Sequence, residues 1–572
     1  MEFTKHSCDV LIIGGGGAAA LAAVAARQAG ATVALITKES SLVGGATIMS
    51  AGGTSATLSP GDNGDVFFND IMRAGGKLNN PKLARMVAER SAEALLDLES
   101  YDFLLDRKDA DSLRTIKQGE GHAFPRGYLD RREALGFCHA LGKALVKNEV
   151  VLFPEMIVSK LLVKDNRAIG ALALGLVTGD YFAFNAKSVI LATGGLGALY
   201  KVTTNSALLT GDGYTMAWDA GAELVDMEMV QFLPLNFPYP ETRRGKIIGM
   251  CSHFGPGVKL YNGLSERYMA KYDPQRMEFT TRDIGSRANF TEIREGRGTK
   301  NQAIIVDPRD HDPAILFRFK TSIPHIYAMF REVYGERAAE WQEPFEAIPS
   351  QHFFMGGVRI DEQCRTTIPG LFAVGEVAGG VHGANRLSGV ALTEVFVFGP
   401  LAGRAAALSA EKEKLVPLNT AEISSEIDTL ESTVMKMGKG TRTFELKEAI
   451  QRIMWDKLGP VRDEAGIETA IHDLEKIRKH DLEGMVVGSH DRKYNRERME
   501  AIELPLMIRT ALFVAHSASA RRESRGSHYR TESPVPDDSN WLKNIVLTKS
   551  NNGEVALDLR PIAQVSRVEN NL

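Results

Sequence analysis

The sequence contains little cysteine: four residues in 572, at Cys8, Cys138, Cys251 and Cys364. They lie far apart and form no Cys-x-x-Cys pair, so the sequence predicts neither a disulfide framework nor an iron–sulfur cluster held by this chain alone. No other pattern indicates a metal site. A reducing compartment fits this composition.

The sequence also has no excess of basic residues. Lysine and arginine together number 68 against 72 aspartates and glutamates, which leaves a net charge of −4. A protein that binds nucleic acid usually presents a basic surface to the phosphates. That class of function is therefore disfavoured.

Long apolar runs are scarce as well. The uncharged run Val10–Ala26 approaches the length of a membrane span or a signal-peptide core, but four consecutive glycines, Gly14–Gly17, divide it into a strand and a helix. No other stretch is expected to reach that length, so we predict no direct membrane span. Because no basic start or cleavage site accompanies this run, we expect a cytoplasmic protein.

The composition that is present, 44% hydrophobic and 24% charged residues, suits a large protein of several domains. Changes in residue composition along the chain predict a discontinuous first domain, 1–235 and 351–410, and an inserted domain at 236–350. A helical region at 411–525 follows. The final segment, 526–572, is expected to contain a hairpin of Asn544–Thr548 with Val555–Leu559 around an Asn-Asn-Gly turn.

The start of the chain has the pattern of a βαβ unit that binds a dinucleotide. An apolar strand, Asp9–Ile13, is followed by Gly14-x-Gly16-x-x-Ala19, an alanine-rich helix and a second strand, Ala31–Ile36. Small residues at these positions let the backbone and the helix N-terminus approach a pyrophosphate. The acidic residue that usually binds ribose after the second strand is replaced by Thr37-Lys38. An ordinary NAD site is therefore disfavoured.

Five segments carry a resemblance to a known family. They are TGDGYTMAWDAGAELVDMEMVQF (Thr210–Phe232), SERYMAKYDP with TTRDIGSRA (Ser265–Ala288), HFFMGGV (His352–Val358), GLFAVGEVAGGVHGANRLSGVAL (Gly370–Leu392) and RRESRGSHYRTESP (Arg521–Pro534). In their order and content the chain resembles the flavoprotein subunits of succinate dehydrogenase and fumarate reductase, a family that includes L-aspartate oxidase and, more distantly, adenylylsulfate reductase. The resemblance implies an α/β fold: a Rossmann-like FAD-binding domain with an inserted α+β capping domain, a C-terminal helical domain and a small C-terminal strand segment.

By this resemblance the cofactor is FAD. Its pyrophosphate is expected at the glycine loop, its ribose or ribityl hydroxyls at Glu376, and its flavin O2 edge at the backbone N–H groups that begin the helix after Gly389. The full set of expected cofactor-binding residues is Gly14, Gly16, Ala19, Lys38, Gly45, Ala46, Thr47, Gly53, Thr193, Gly194, Asp212, Glu376, Arg386, Ala391 and Leu392.

The resemblance also implies three catalytic residues. Arg282 matches the arginine that passes a proton to or from a substrate carbon, while His352 and Arg386 match a pair that grips a substrate carboxylate. Cationic donors there suit a reaction in which hydride adds to one carbon of a C=C bond and charge grows on the neighbouring carboxylate. Two simpler roles stay open: Arg282 as a plain carboxylate clamp and His352 as a core histidine.

Two departures from the family concern the second carboxylate of the substrate. Where the family has His-Pro-Thr-Gly this chain has Leu233-Pro234-Leu235-Asn236, and the family's Thr-Glu-Gly-x-Arg segment aligns loosely with Met250–Phe254. Leucine in place of polar ligands disfavours a buried carboxylate. The sequence therefore predicts a substrate with a less polar second end than succinate or fumarate.

A third departure concerns the flavin. Quinone-linked members carry a histidine that bonds covalently to the flavin, whereas this chain has Gly45-Ala46-Thr47 at that place. The FAD is expected to be non-covalent, which favours reduction of an unsaturated acid over oxidation.

The sequence thus predicts an FAD-dependent oxidoreductase that moves hydride between flavin N5 and a CH–CH or C=C bond beside a carboxylate. Two alternatives stay open: an amino- or hydroxy-acid oxidase similar to aspartate oxidase, and an electron-transfer flavoprotein subunit of an iron–sulfur complex. An iron–sulfur protein is a possible partner, and through it the protein would reach a membrane face.

Overall fold

The computed structural model describes residues 2–40, 43–107, 113, 115 and 121–562. The strands are β1 (Thr4–Ile13), β2 (Val33–Ile36), β3 (Thr54–Ser55), β4 (Gly127–Tyr128), β5 (Val151–Phe153), β6 (Met156–Lys164), β7 (Arg167–Gly175), β8 (Tyr181–Leu191), β9 (Leu224–Val225), β10 (Val230–Asn236), β11 (Ile247–Gly249), β12 (Lys259–Tyr261), β13 (Ile304–Asp307), β14 (Phe345–Phe354), β15 (Gly357–Arg359), β16 (Leu371–Ala373), β17 (Ala378–Gly379), β18 (Thr441–Arg442), β19 (Met485–Val486), β20 (Lys543–Lys549) and β21 (Val555–Pro561).

The helices are α1 (Gly17–Gln28), α2 (Gly45–Met49), α3 (Gly64–Ala74), α4 (Pro81–Asp97), α5 (Glu133–Lys147), α6 (Asp212–Asp219), α7 (Arg282–Glu292), α8 (Pro313–Ser322), α9 (Pro324–Tyr334), α10 (Glu336–Ala339), α11 (Val390–Glu411), α12 (Thr420–Val434), α13 (Thr443–Lys457), α14 (Glu464–Lys476), α15 (Arg496–Ala520) and α16 (Asp538–Trp541).

A mixed sheet forms the centre of the molecule. Its strands run in the order β5-β2-β1-β8-β7-β6, with β16 pairing beside the end of β8. β1 lies parallel to both β2 and β8, and its last four residues are buried on both faces, as expected for a central strand covered by helices. Helix α1 packs between this sheet and α11, which is possible because Gly399 and Gly403 of α11 leave room for Leu21 and Ala22.

The inserted capping domain has its own sheet and core. The strand order is β11-β10-β14-β13-β12, and the apolar cluster beneath it contains Phe254, Trp341 and Phe345, all buried. Because β10 begins at Val230 and β14 ends at Phe354, this sheet includes residues on both sides of the 236–350 boundaries that the sequence predicts.

The C-terminal hairpin is part of a third sheet. β20 and β21 pair with Asn544 opposite Arg560, and β20 also pairs with β9 of the first domain. Each strand extends slightly beyond the range that the sequence predicts. The last residues, 563–572, lie outside the described part of the chain.

Two helices are long and apolar enough to cross a membrane by length and composition, α11 and α15. The sequence expectation that no such segment exists is wrong in this respect. Of the most apolar window, 72% is buried inside the protein in α11 and 83% in α15. Their apolar surface therefore packs in the core.

Candidate active site

A cavity of about 790 Å³ is lined by residues of both the FAD-binding and the capping domain. This volume lies in the upper part of the range for cofactor and ligand pockets, about 300–1,000 Å³. With one exception, Ala19, all the cofactor-binding and catalytic residues expected from the sequence line it. The fold therefore brings together positions that are up to several hundred residues apart in sequence.

The glycine loop forms one wall of this cavity. Gly14 has a φ of +132°, and a Cβ there would lie 2.0 Å from the carbonyl oxygen of Ala192. A Cβ on Gly15 would lie 2.2 Å from Oγ1 of Thr37. The loop leads into the N-terminus of α1, whose first N–H groups and positive dipole end suit a pyrophosphate.

Ala19 does not line the cavity, so its expected contact with the cofactor is wrong. It lies within α1, is fully buried and belongs to the main apolar core. A small residue at this third position lets the helix pack closely on the sheet, which is the known physical role of the last glycine in such loops.

Lys38 takes part in a buried network as well as lining the cavity. Its Nζ lies 2.9 Å from Oδ2 of Asp212 and 2.7 Å from Oε1 of Glu503 in α15, and it donates to Oγ1 of Thr210 at 2.9 Å. The network connects the end of β2, the start of α6 and the helical domain. Glu39 also lines the cavity, and its Oε1 accepts the N–H of Gly45. An acidic group therefore does lie after β2, one residue beyond the pair that the sequence pattern singled out.

The part of the cavity wall formed by the glycine loop, Thr193 and Glu376 is called the cradle below. It contains buried polar groups that can bind a ligand. Oγ1 of Thr193 is buried without a hydrogen-bond partner among the described residues. Glu376 accepts the N–H of Phe354 at 2.9 Å, and burial raises the pKa of its carboxyl to about 8. At neutral pH this group carries a proton much of the time, so that it can donate a hydrogen bond as well as accept one.

Three basic side chains surround the other end of the cavity. Arg282 begins α7 and donates through Nη2 to Oγ of Ser388 at 2.8 Å. His352, on β14, lies 3.0 Å through Nδ1 from Oγ1 of Thr204. Arg386 is buried, its Cζ is 4.6 Å from the ring centroid of Phe353, and its Nε has no hydrogen-bond partner among the described residues.

The basic groups at this end lie close enough to act on one another, and the carboxyls of Glu376 and Glu394 act on Arg386 in the opposite direction. Burial lowers the pKa of His352 and of Arg386, and the positive charge of Arg282 lowers both further. Such a cluster is stabilised when an anion enters, because the anion adds negative charge beside basic groups that repel one another. The geometry suits a carboxylate.

Only one of the two pocket leucines expected from the sequence lines the cavity. Leu233 does, but Leu235 is fully buried in the capping-domain core, so its expected role at the substrate is wrong. The pairing of β10 with β14 shifts register between Leu233 and Asn236. This irregularity breaks the two-residue alternation that would otherwise place both side chains on one face.

Sequence reasoning missed His122, which also lines the cavity. Its Nε2 donates to the backbone oxygen of Ser388 at 3.0 Å and its Nδ1 lies 3.1 Å from Nη1 of Arg126. Arg126 is held by the buried carboxylates of Asp62 and Asp70. No sequence motif marks this histidine, since only the fold brings its loop to Ser388.

Comparison with known proteins decides the family. Residues 9–392 match the family model described as FAD binding domain, and residues 447–569 match the model described as fumarate reductase flavoprotein C-term. The chain belongs to the fumarate reductase and succinate dehydrogenase flavoprotein family. It is thus an FAD-dependent oxidoreductase that acts on a CH–CH bond, as the sequence predicts.

Relatives match nearly end to end. One of the subunits of the fumarate reductase (CoM/CoB) from Methanothermobacter marburgensis is 38% identical over 96% of this chain and 98% of its own length. The succinate dehydrogenase flavoprotein subunit of Rickettsia conorii is 29% identical over 97% and 95%. Among solved structures, a variant of E. coli quinol fumarate reductase superposes with a TM-score of 0.88 at 28% identity, covering 98% of this chain and 97% of that one. The predicted fold class is confirmed.

The residues of the cradle fit FAD. The glycine loop allows close approach of the backbone, Thr193 and Glu376 offer buried polar groups, and α1 and α11 both begin at the cavity. Ala391 and Leu392, in the first turn of α11, are placed to offer backbone N–H groups to an anionic ligand atom.

Proposed function

We propose that this protein reduces the C=C bond of a short unsaturated dicarboxylate such as fumarate. The observation that carries the proposal is the convergence of Arg282, His352 and Arg386 on the cavity that the glycine loop also lines. The family, and a full-length relative that is named a fumarate reductase, support it.

The three side chains have two roles. His352 and Arg386 bind one carboxylate and stabilise the negative charge that grows on it during reduction. Arg282, held by Ser388, delivers the proton to the carbon beside the one that is reduced. FAD, when bound, supplies the hydride, so that two electrons and two protons convert the alkene into the saturated acid.

A dicarboxylate is proposed in place of the less polar substrate that the sequence favours. That expectation depended on two leucines and on the absence of the family's Thr-Glu-Gly-x-Arg residues at Met250–Phe254. Leu235 is packed in the capping core, away from the cavity. Ser252 and His253, by contrast, line the cavity and add polar groups to it. The argument against a second carboxylate is therefore weaker than it is from the sequence alone.

The FAD is proposed to be non-covalent, because Gly45, Ala46 and Thr47 line the cavity and offer no imidazole for a bond to the flavin. Acid precipitation of the purified protein should release the yellow chromophore into the supernatant. Colour that remains with the precipitated polypeptide would contradict this part of the proposal.

We propose that an iron–sulfur partner protein in the cytoplasm supplies the electrons. If that partner is bound to a membrane, the complex lies at the membrane face. The relatives are subunits of larger enzymes, and the described residues contain no cluster of side chains that could hold a metal ion. Co-purification at fixed stoichiometry with an iron–sulfur protein is the expected result. Isolation of a fully active chain alone, with its flavin rapidly reoxidised by air, would favour an oxidase instead.

The activity itself is tested with reduced methyl viologen as the electron donor. Addition of fumarate should bleach the dye and produce succinate in equal molar amount to fumarate consumed. If a 2-enoic acid with an apolar second end is turned over faster than fumarate, the proposal of a dicarboxylate is wrong and the less polar substrate expected from the sequence is favoured.

A further inference from the structure

His122 lines the cavity, but the proposed reaction gives it no role. It lies just before β4 in the chain, and it is half-buried. Both of its ring nitrogens are occupied, since Nε2 lies 3.0 Å from the backbone oxygen of Ser388 and Nδ1 lies 3.1 Å from Nη1 of Arg126. The imidazole is therefore held by the protein on both sides, and neither nitrogen is left to bind a substrate.

The two partners determine which nitrogen of His122 carries the proton. A guanidinium can only donate, so Nδ1 must accept from Arg126. A carbonyl oxygen can only accept, so Nε2 must carry the proton that it donates to Ser388. Burial lowers the pKa of His122 to about 4, which agrees with a neutral ring at pH 7. His122 is thus neither a proton donor to the substrate nor a further cation in the cavity.

Arg126 gives the imidazole a fixed partner. Its guanidinium is fully buried and donates to both oxygens of Asp62, at 2.7 and 2.8 Å, and to Oδ2 of Asp70 at 2.6 Å. The ring of Phe67 packs on it, with Cζ of Arg126 4.6 Å from the ring centroid. Rotation of this guanidinium would leave two buried carboxylates without their cation, which is costly. The orientation of His122 is therefore fixed before any substrate binds.

Ser388 connects these hydrogen bonds to the proposed proton donor. Its backbone oxygen also accepts from Oγ of Ser55 at 3.0 Å, and its own Oγ accepts from Nη2 of Arg282 at 2.8 Å. Ser388 directly precedes Gly389, the N-cap of α11. Nη1 of Arg282 also donates to Oε1 of Gln231, at the longer distance of 3.4 Å. The shorter of these two hydrogen bonds, and with it the direction of the guanidinium, depends on where the backbone of Ser388 lies.

We propose that His122 is a positioning residue for Arg282: its Nε2–H holds the backbone of Ser388, so that the Ser388 hydroxyl keeps the guanidinium directed at the substrate carbon. This inference rests on the proposed function, in which Arg282 delivers the proton. Proton transfer is sensitive to small displacements, because the donor must lie within hydrogen-bond reach of the atom that it protonates. Loss of His122 should therefore slow the proton step without weakening the carboxylate clamp.

The experiment is a double-mutant cycle between His122 and Ser388, measured as kcat for fumarate with reduced methyl viologen. His122→Asn keeps an acceptor for Arg126 but is too short to reach Ser388, and it should lower kcat by about 10-fold or more. Ser388→Ala removes the hydroxyl and should have a similar effect. In the double variant kcat should fall only about as far as in the worse single variant, because without the hydroxyl the position of Ser388 no longer acts on Arg282. The KM for fumarate and the inhibition constant of malonate should change by less than about 3-fold throughout.

His122→Gln, which places an N–H donor near the position of Nε2, should recover part of the rate. The matched control is His139→Asn on α5, since His139 is exposed and does not line the cavity; its kcat should equal that of wild type. Rates are expressed per bound FAD, and if His122→Asn does not retain FAD, Ser55→Ala, which removes the other donor to the same carbonyl, takes its place in the cycle.

Three results would overturn the inference: an unchanged kcat in the variant that loses the donor, losses that multiply in the double variant, or a loss confined to KM. Wild-type enzyme that does not reduce fumarate refutes the proposed function, and the inference falls with it. The two failures are distinguishable, because the second is seen in the wild-type enzyme alone.

Discussion

The two walls of the cavity hold a ligand by different means. On the FAD-binding side, the wall includes backbone at Gly14 and Gly15, where an added Cβ would lie 2.0 Å and 2.2 Å from neighbouring atoms. On the substrate side, Arg282, His253 and His352 reach the cavity with long polar side chains. The first wall is thus sensitive to volume, and the second to charge and hydrogen-bonding capacity. Substitutions on the first wall should therefore lower the FAD content, whereas substitutions on the second should change the kinetic constants.

Gly14→Ala should have the largest effect, because it tests the volume-sensitive wall directly. The new Cβ would lie 2.0 Å from the carbonyl oxygen of Ala192, at a φ of +132° that alanine rarely adopts. We expect the purified protein to contain almost no FAD and to have no detectable activity. The check is the flavin absorbance released per polypeptide. Gly30→Ala is the control, since Gly30 also has a positive φ, +87°, but open space around it; its FAD content should stay normal.

On the second wall, Arg282→Ala should lower kcat by about 10²- to 10⁴-fold while the affinity for a carboxylate inhibitor remains, because a general acid is lost and the clamp is not. Arg386→Ala should weaken inhibitor binding and lower the rate together. Steady-state kinetics and inhibition by malonate, at equal FAD content, separate the two. If Arg282→Ala keeps most of its turnover, the proton reaches the substrate by another route.

Lys38 connects the cradle to the helical domain. Its removal should lower the free energy of unfolding. Lys38→Met leaves the carboxylate of Asp212 buried without its cation and leaves Glu503 with only Lys447, whose Nζ lies 4.0 Å from it. Loss of one partner of a buried ion pair costs about 3–5 kcal/mol. The midpoint of thermal unfolding should fall by several degrees, and Glu503→Gln in the same chain should recover part of the loss. Lys143→Met removes an exposed pair with Asp102 and should leave the midpoint nearly unchanged, because water and salt screen such a pair. Equal effects of the two lysine variants would contradict a structural role for the network.

The cradle could be predicted from the sequence because its chemistry is local. Gly14 and Gly16 lie in a strand-loop-helix pattern whose function depends on small residues and backbone groups, so spacing alone locates them. The family motifs then supplied distant members such as Thr193 and Glu376. Ala19 was assigned to the wrong neighbour because the pattern does not say which small residue faces the ligand and which faces the sheet.

The substrate wall could be predicted only where a motif covers it. Arg282, His352 and Arg386 lie in such motifs. His122 lies in none, and His253 lies in a segment that aligns only loosely with the family, so the positions of both depend on how loops of different domains meet. Leu235 shows a second limit. Strand alternation places it beside Leu233, yet the irregular pairing with β14 turns it into the capping core. Pro234 between the two leucines is typical of such an irregularity, but it does not tell which way the following side chain turns.

Leu233 and Leu235 allow the comparison between the two walls to be tested with the smallest expected effects. Leu233 lines the cavity, so Leu233→His should restore a polar ligand and lower the KM for fumarate by a few-fold, about the worth of one hydrogen bond. Leu235→Thr should leave KM and kcat unchanged, but it should lower the unfolding midpoint, since it removes apolar volume and buries a hydroxyl in the capping core. Both variants need only steady-state kinetics and a thermal melt. If Leu235→Thr changes the preference for fumarate while Leu233→His does not, Leu235 faces the substrate and the irregular register of β10 against β14 is incorrect. The expectation from the sequence, that both leucines lie beside the substrate, would then stand.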